Sequence, residues 1–304
     1  MSDYPMLISN KLHSFRNFME CESTKTIKNM KKVLLVAAVA LTLAGCGKTG
    51  NKDAEADKNV SMFRTEEVVA KKQLSLPDSL NFYGKDAKVF TETTVSVCWP
   101  ETLGGKEPKE LQDSILSIAF GTNKRATLKE SLEAMLAEPL GFEGEKGITQ
   151  KDVDKLPELS ETVHRHSAQL TVTPTSIGKR LVTYSVYSYA FLGGAHGNYA
   201  TTYVNYDVEK GQVLTVGRVF ADVQGLKTAI MRELQLKPEY AGSLLVDKVP
   251  TVGNFYIEGA LITFFYNPYD VACYAAGDIR VALPIHEVRE FMSDYGKSLF
   301  PEED

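Results

Sequence analysis

Basic residues are too few in this sequence to support one large class of functions. Its 304 residues contain 34 Lys and Arg against 39 Asp and Glu, a formal net charge of −5 at pH 7. Proteins that bind nucleic acid neutralise phosphates with a basic surface. We therefore expect no nucleic-acid partner.

The clearest hydrophobic run is too short to cross a membrane. Residues 33–43 are apolar or small, a run of 11 residues, whereas a transmembrane helix needs about 20. Met30-Lys31-Lys32 precedes this run and small residues follow it, an order typical of a secretory signal peptide. We predict a leader over residues 1–45, in which 30–45 is the signal peptide and 1–29 lies upstream of the true start.

The leader ends in Leu43-Ala44-Gly45-Cys46, which resembles the lipobox of bacterial lipoproteins. In a lipobox the cysteine becomes the lipidated first residue, so we expect Cys46 to be the lipid anchor. The protein would then be exported and held in the bacterial cell envelope, on the periplasmic face or at the cell surface. Residues 1–45 hold six basic and three acidic side chains, so the remaining chain would carry 28 basic against 36 acidic residues, a net charge of −8.

Cysteine is scarce, and no CxxC pair of the kind that binds zinc is present among the four. Cys21 and Cys46 fall outside the predicted fold. Cys98 and Cys273 remain, and they either form a disulfide in an oxidising compartment or stay as buried thiols.

The chain after the leader divides into a polar segment and a patterned one. Residues 46–86 are largely polar and predict a flexible tether. β-branched residues alternate from Lys88 to Trp99-Pro100 and predict a first strand. Helices are predicted over Lys109 to Phe120, from the capping box Thr127 to Glu130, and after the N-cap Asp222.

A run of strands dominates the middle of the chain. Strand patterns cover residues 161–173, 179–192, 198–208 and 212–216, and further strands are predicted within 255–266 and 279–283. Because helices and strands are segregated, we predict an α+β fold, an antiparallel β-sheet meander with helices packed on one face. We expect two sub-domains, residues 87–200 and 201–298, and a tail at 299–304.

Tyrosines crowd two of these strands. They are Tyr184, Tyr187, Tyr189, Tyr199, Tyr203 and Tyr206. Cross-strand packing explains such a group, and an exposed subset would form a platform for a sugar or a protein partner.

A glycine-rich loop lies between the tyrosine-rich strands. Gly193, Gly194 and Gly197 surround His196 and are followed by Asn198. Three glycines in five residues indicate unusual backbone or a close approach, and His196 is the candidate functional side chain, including as a catalytic base. A structural turn with a locally hydrogen-bonded His is the alternative.

A second pair of histidines has the spacing of a metal site. His164 and His166 are two apart in a predicted strand, so both rings point to one face, with His196 as a conceivable third zinc ligand. An ordinary polar strand face explains the pair as well. We predict no metal and no cofactor.

Two stretches resemble one known family. They are Gly193 to Asn198 and the run from Tyr266-Asn267-Pro268-Tyr269 to Ala275-Ala276-Gly277, followed by a strand and a Pro-Ile-His-Glu-Val helix. The chain from about Lys88 to Met292 resembles the RsiV-type domain of unknown function. That domain occurs in a lysozyme-sensing bacterial anti-sigma factor and as an accessory domain of some peptidoglycan deacetylases.

The resemblance implies an ectodomain that binds rather than catalyses. Our leading hypothesis is a lipid-anchored envelope protein whose ligand is a lysozyme-like muramidase or peptidoglycan. The alternatives are a cell-wall hydrolase or metalloenzyme that uses His196, and a structural envelope component. The candidate ligand-binding residues are Gly193, Gly194, His196, Asn198, Tyr269, Asp270 and Tyr274.

Overall fold

The structure is a computed structural model that describes residues 62–74, 88–137, 144–147, 163–191, 196–240 and 242–301. The described strands are β1 (Phe63–Leu74), β2 (Lys88–Pro100), β3 (Gly144–Gly147), β4 (Val163–Ile177), β5 (Leu181–Phe191), β6 (Asn198–Asp207), β7 (Gln212–Val213), β8 (Phe255–Glu258), β9 (Leu261–Tyr266) and β10 (Ile279–Pro284). The described α-helices are α1 (Lys109–Phe120), α2 (Leu128–Ala137), α3 (Val216–Val219), α4 (Val223–Leu236), α5 (Ile285–Val288) and α6 (Asp294–Leu299). The leader, including Cys46, lies outside the described residues.

The larger sheet has seven strands in the order β3-β1-β2-β4-β5-β6-β7. β4, β5, β6 and β7 pair antiparallel in chain order, which confirms the predicted meander. β2 and β4 pair parallel, so the sheet is mixed and the fully antiparallel expectation needs correction. A parallel pair requires a long crossover connection, and the chain between β2 and β4 contains α1 and α2.

The first hydrophobic core lies between this sheet and α1 and α2. Val182, Tyr184 and Val186 alternate along β5 and are buried together with Leu111 and Ile115 of α1. The capping box at the start of α2 is formed as predicted, because the Glu130 amide donates to Thr127 Oγ1 at 3.2 Å and the Thr127 amide donates to Glu130 Oε2 at 3.2 Å. Helices therefore cover one face of the sheet, which confirms the α+β prediction.

The second core is built on a three-stranded sheet in the order β10-β9-β8. Leu226, Ile230 and Leu234 recur every four residues on α4 and are buried against this sheet. Asp222 caps α4 as expected, since its Oδ1 accepts a hydrogen bond from the Gly225 amide at 2.8 Å.

The boundary between the two halves differs from the predicted one at residues 200 and 201. That position lies inside β6, whose Val204 and Tyr206 belong to the first core. Leu214, after the β6–β7 hairpin, already belongs to the second core. The strand pairs with β5 along its length, and this ladder keeps it with the first half.

Part of the predicted tether is a strand. β1 pairs antiparallel with β2 over twelve residues, from Phe63 opposite Pro100 to Leu74 opposite Val89. Among the β1 side chains that the structure describes, residues 63–70, only Val68 is buried, so the segment has the polar composition that favoured a tether. A strand needs apolar residues on one face only. Among the described residues, β3 pairs with β1 only from Lys72 to Leu74, and charged side chains protect the rest of that sheet edge.

The predicted tail also begins inside the fold. Leu299 is the last residue of α6 and is buried in the second core, and Phe300 packs against that core. The Arg289 side chain donates to the Phe300 carbonyl oxygen at 2.8 Å. Leu299 and Phe300 therefore pack on the second core, a contact that the composition of the segment did not predict.

Side-chain amides from the second half bind the outer edge of β6. Asn267 follows β9 and Asn254 precedes β8, so both lie at the open end of the β8–β9 hairpin. The Thr201 amide donates to Asn267 Oδ1 at 2.6 Å, and the Thr201 carbonyl accepts from Asn254 Nδ2 at 2.8 Å and from Asn267 Nδ2 at 3.2 Å. The Tyr203 amide donates to Asn254 Oδ1 at 2.9 Å. We call this group the Asn bracket, because two amide side chains take the place of a neighbouring strand.

A buried carboxylate joins the halves at the other end of β6. Asp207 is 0% exposed, and its Oδ2 accepts from Arg180 Nη2 at 3.2 Å and from the Tyr295 hydroxyl at 2.9 Å. Its Oδ1 accepts from the backbone amides of Glu209 and Lys210 at 2.9 and 3.0 Å. Burial alone would raise the pKa of Asp207, but the Lys210 amide, the Tyr295 hydroxyl and the Arg180 guanidinium outweigh it and hold the pKa below its ordinary value.

Within the described residues, no helix has the length and apolar character needed to span a membrane.

The Asp207 arrangement predicts a pH-dependent contribution to stability. Because the folded pKa is lowered, the contribution is present above the unfolded value of about 4 and is lost as the pH falls through the folded pKa. Asp207→Asn should lower the free energy of unfolding by about 3 kcal/mol at pH 7, since it breaks a buried ion pair. Urea unfolding from pH 7 to 3 should show the difference shrinking below about pH 4.

Asp113→Asn is the matched control, because Asp113 forms an exposed pair with Lys124. Its effect should stay below about 1 kcal/mol. Equal losses for the two variants, or a difference for Asp207→Asn that does not change with pH, would contradict the role given to Asp207.

Candidate functional site

The loop after β9 presents an exposed tyrosine. The Asn267 amide donates to Asp270 Oδ2 at 2.8 Å, and the Tyr269 amide donates to the Ala272 carbonyl at 3.0 Å. Within this turn Tyr269 has φ 69°, the one positive φ among the described non-glycine residues. Its side chain is 55% exposed. A left-handed tyrosine costs conformational energy, so the hydrogen bonds of the turn maintain an outward aromatic ring against that cost.

The glycine-rich loop meets this segment through a stacked pair of rings. The ring centroids of His196 and Tyr274 are 3.8 Å apart with an interplanar angle of 17°. The Tyr274 hydroxyl donates to the Gly197 carbonyl at 2.7 Å. His196 is exposed, and its Nδ1 lies 3.1 Å from the same carbonyl oxygen. Gly197 is required by close approach, since a Cβ there would lie 2.4 Å from the Tyr189 ring.

Two tyrosines of the sheet complete the cluster. Tyr199 meets Tyr274 edge-to-face at 6.1 Å, and Tyr187 lies 6.5 Å from Tyr199. Tyr269 lies 5.8 Å from Tyr274. These separations suit aromatic pairs. We call the rings of Tyr187, His196, Tyr199, Tyr269 and Tyr274 the aromatic junction, because they come from both halves of the fold.

A carboxylate lies beside the aromatic junction. Asp278 accepts a hydrogen bond from the Tyr199 hydroxyl, and its Oδ2 is 4.0 Å from Arg280 Nη2. Its Oδ1 is buried and has no hydrogen-bond partner among the described residues. Burial raises the pKa of Asp278, although Arg280 and Tyr199 oppose the shift. Burial, followed by the negative charge of Asp278, raises the pKa of Tyr199, so the tyrosine stays a neutral hydrogen-bond donor at physiological pH.

The structure brings together some of the residues that the sequence singled out. His196, Tyr269 and Tyr274 meet in the aromatic junction, and Asp270 holds the turn that presents Tyr269. Asn198 is exposed and begins β6 opposite Ala190. Gly193 and Gly194 lie outside the described residues.

Other residues of the site have a weaker signal in the sequence. Asp278 directly follows the Ala275-Ala276-Gly277 run but is not part of it, and Asn254 has no motif around it. Tyr187 and Tyr199 belong to the tyrosine-rich pair of strands, for which the sequence predicts cross-strand packing or a platform for a sugar or a protein partner. That enrichment was the sole sequence signal for them.

The three-histidine metal alternative is not supported. His166 is 4% exposed and shares the helix-covered face of β4 with Ala168 and Leu170. The β4–β5 register places Gln169 and Tyr189 on the opposite face, the one that carries the aromatic junction. The side chain of His164 lies outside the described residues. Within the described part of the chain, no three His, Cys, Asp or Glu side chains are grouped as metal ligands would be.

The junction offers groups that can contact a ligand. Among the described residues, no carboxylate hydrogen-bonds the His196 ring in the way that would orient a catalytic base. Cys98 and Cys273 are free thiols. The rings offer polarisable surface, and Asp278 and the tyrosine hydroxyls offer hydrogen bonds.

Comparisons with known proteins agree with this architecture. Residues 224–286 match a family model described as a protein of unknown function, DUF3298. A solved structure of a DUF3298 family member from Bacteroides fragilis NCTC 9343 is 18% identical, covers 78% of this chain and 96% of its own, and has a TM-score of 0.53. A DUF3298 family protein from Pseudomonas aeruginosa PAO1 is 14% identical, covers 79% and 98%, and has a TM-score of 0.49. No curated protein matches the chain.

The Bacteroides structure shows a shared fold at this level of identity. The DUF3298 match is consistent with the resemblance to an RsiV-type domain of unknown function.

The contact between the two loops predicts a specific cost for losing one hydroxyl. Tyr274→Phe removes the hydrogen bond to the Gly197 carbonyl and should lower the free energy of unfolding by about 1 kcal/mol. It should also shift the His196 ring resonances in proton NMR, because the stacked pair loses its anchor. Tyr269→Phe is the matched control, since the Tyr269 hydroxyl makes no hydrogen bond to a described residue, and neither quantity should change. The same His196 shifts in both variants would rule out the proposed anchoring role.

Proposed function

We propose that this protein is an exported, lipid-anchored component of the bacterial cell envelope that binds an envelope ligand, either a lysozyme-like muramidase or peptidoglycan. The observation that carries the proposal is the aromatic junction. Its rings come from two loops and two strands, and His196 and Tyr269 are exposed. Exposed, rigidly held aromatic side chains are enriched where proteins bind partners.

Backbone strain at Tyr269 supports a binding role. A tyrosine with φ 69° lies in a sparsely populated backbone region that costs about 1–3 kcal/mol. The hydrogen bonds of the turn at Asn267 and Ala272 retain this conformation. Strain of this kind concentrates at ligand-binding sites, where it keeps a contact group in place before the ligand arrives.

Charge supports a muramidase as one form of the ligand. The chain after Cys46 is acidic, with 28 basic and 36 acidic residues from position 46 onward. An acidic protein attracts a basic one over long range, and this attraction weakens as salt screens it. Peptidoglycan is supported by the rings themselves, because the faces of sugar rings stack on aromatic side chains.

Location in the envelope is supported by the N-terminal sequence. Met30-Lys31-Lys32, the apolar run and Leu43-Ala44-Gly45-Cys46 follow one another in the order of a lipoprotein signal peptide. A lipid at Cys46 would hold the folded domain at the membrane surface, where both candidate ligands occur.

Binding to the two ligands can be measured in parallel with the full chain in detergent. The protein should be retained on an immobilised basic muramidase or should co-sediment with peptidoglycan sacculi. Tyr269→Ala should reduce the retained fraction about fivefold, because it removes an exposed aromatic contact. If the muramidase is the ligand, retention should also fall between low and high salt.

Leu245→Ala is the matched control, because Leu245 is 61% exposed and is not part of the aromatic junction. It should bind like the unaltered chain. Absence of binding to both ligands, or the same loss in Tyr269→Ala and Leu245→Ala, would exclude the proposed function at this site.

A further inference from the structure

We infer that the aromatic junction and the adjoining sheet face bind a neutral glycan, whose sugar rings stack on His196 and Tyr269 and whose hydroxyl groups donate to Asp278. The inference rests on the proposed function and narrows its ligand to one chemical class. It also adds a second contact surface, on β4 and β5, to the site described above.

Two rings of the aromatic junction can be reached by a ligand. His196 and Tyr269 are both exposed, and both adjoin Tyr274, at 3.8 and 5.8 Å between ring centroids. Tyr199 contacts Tyr274 edge-to-face. Two outward rings on a fixed base suit two consecutive sugars, since the C–H groups on one face of a pyranose pack against an aromatic ring.

The Asp278 carboxylate beside the junction can accept hydrogen bonds from a ligand. A carboxylate accepts up to about four hydrogen bonds, and the Tyr199 hydroxyl supplies one to Asp278. Arg280 lies at 4.0 Å, and the Asp278 side chain is 27% exposed. Asp278 Oδ1 is buried, so a ligand reaches the carboxylate through Oδ2. The acceptor capacity left on that oxygen favours a ligand with hydroxyl donors, and a glycan has several on every ring. The negative charge of Asp278 disfavours an anionic sugar.

The face of the sheet opposite the helices continues from the aromatic junction across β6, β5 and β4. The register places Tyr199, Tyr189 and Gln169 in one row across β6, β5 and β4. The next row contains Thr201, Tyr187 and Thr171. Gln169 is exposed, and the three strands span about 10 Å. Helices cover the other face of the sheet, so a polar and aromatic strip extends from the junction.

This strip distinguishes a glycan from a compact protein ligand. A flat row of hydroxyl, amide and aromatic groups can contact successive sugars of an extended chain. Affinity should therefore rise with chain length, and Gln169 should matter only for a chain long enough to reach β4.

The test is calorimetric titration of the full chain in detergent with defined oligosaccharides. The probes are the dimer and tetramer of β-1,4-linked N-acetylglucosamine, and a tetramer of galacturonic acid as the anionic counterpart. The neutral tetramer should bind more tightly than the dimer, and the anionic tetramer should bind most weakly. Tyr269→Ala should weaken tetramer binding about fivefold, whereas Leu245→Ala should leave it unchanged.

Two further variants separate ligand contact from structural damage. Asp278→Asn should reduce the preference for the neutral over the anionic tetramer, an effect that loss of structure would not produce. Gln169→Ala should weaken binding of the tetramer about threefold, a typical result of losing one hydrogen bond, and should leave the dimer unaffected.

The outcomes also separate this inference from the proposed function. Retention on the muramidase without binding of either neutral oligosaccharide would overturn the glycan inference and leave the proposed function standing. Failure with the muramidase, the sacculi and the oligosaccharides would overturn both. Equal binding of the neutral and anionic tetramers by the unaltered chain would overturn the role assigned to Asp278.

Discussion

The hydrogen bonds between the side-chain carboxamide of Asn267 and the backbone of Thr201 are the interaction on which the site depends. A peptide group at a strand edge needs a donor and an acceptor, and a carboxamide supplies both with similar geometry. The Asn267 side chain hydrogen-bonds to the backbone amide and the carbonyl of Thr201. The Asn254 side chain hydrogen-bonds to the same carbonyl and to the backbone amide of Tyr203. The Asn bracket therefore satisfies polar backbone groups and attaches the second half of the fold to the first.

The aromatic junction follows from this attachment. Asn267 begins the turn that contains Tyr269. Tyr274 lies seven residues after Asn267, where it stacks on His196 and contacts Tyr199 edge-to-face. The Asp207 network fixes the opposite end of β6 through Arg180 and Tyr295. Because both ends of β6 are fixed, the aromatic rings of the two halves keep their positions relative to one another. This is the preorganisation that a binding site requires.

Local patterns predicted the fold better than they predicted the site. The helix over Lys109 to Phe120 and the capping box of α2 follow from side-chain periodicity and from residues three apart, and both are present. β1 lacks a strand signal because Val68 is the one buried side chain among its described residues 63–70. The parallel pairing of β2 with β4 depends on a crossover that local sequence does not encode.

The site needed information that only the folded chain contains. Asn254 and Asp278 act on residues about 50 to 80 positions away, and no sequence motif includes either residue. His166 has the spacing of a metal ligand, but the sheet register turns it towards the helix-covered core. The sequence points to His196 because three glycines surround it, and to Tyr269 and Tyr274 because their segment resembles a motif of a known family.

Amide hydrogen exchange at Thr201 tests the central claim most directly. In the unaltered chain, NMR should show the Thr201 amide protected to the same degree as the β6 amides that pair with β5. In Asn267→Ala, exchange should accelerate at Thr201 and throughout residues 272–277 and 196–199. Asn123→Ala, at the end of the short 3-10 helix Gly121–Asn123 and outside the bracket, should change none of them. Fast exchange at Thr201 in the unaltered chain, or protection that survives Asn267→Ala, would contradict the claim that the Asn bracket builds the site.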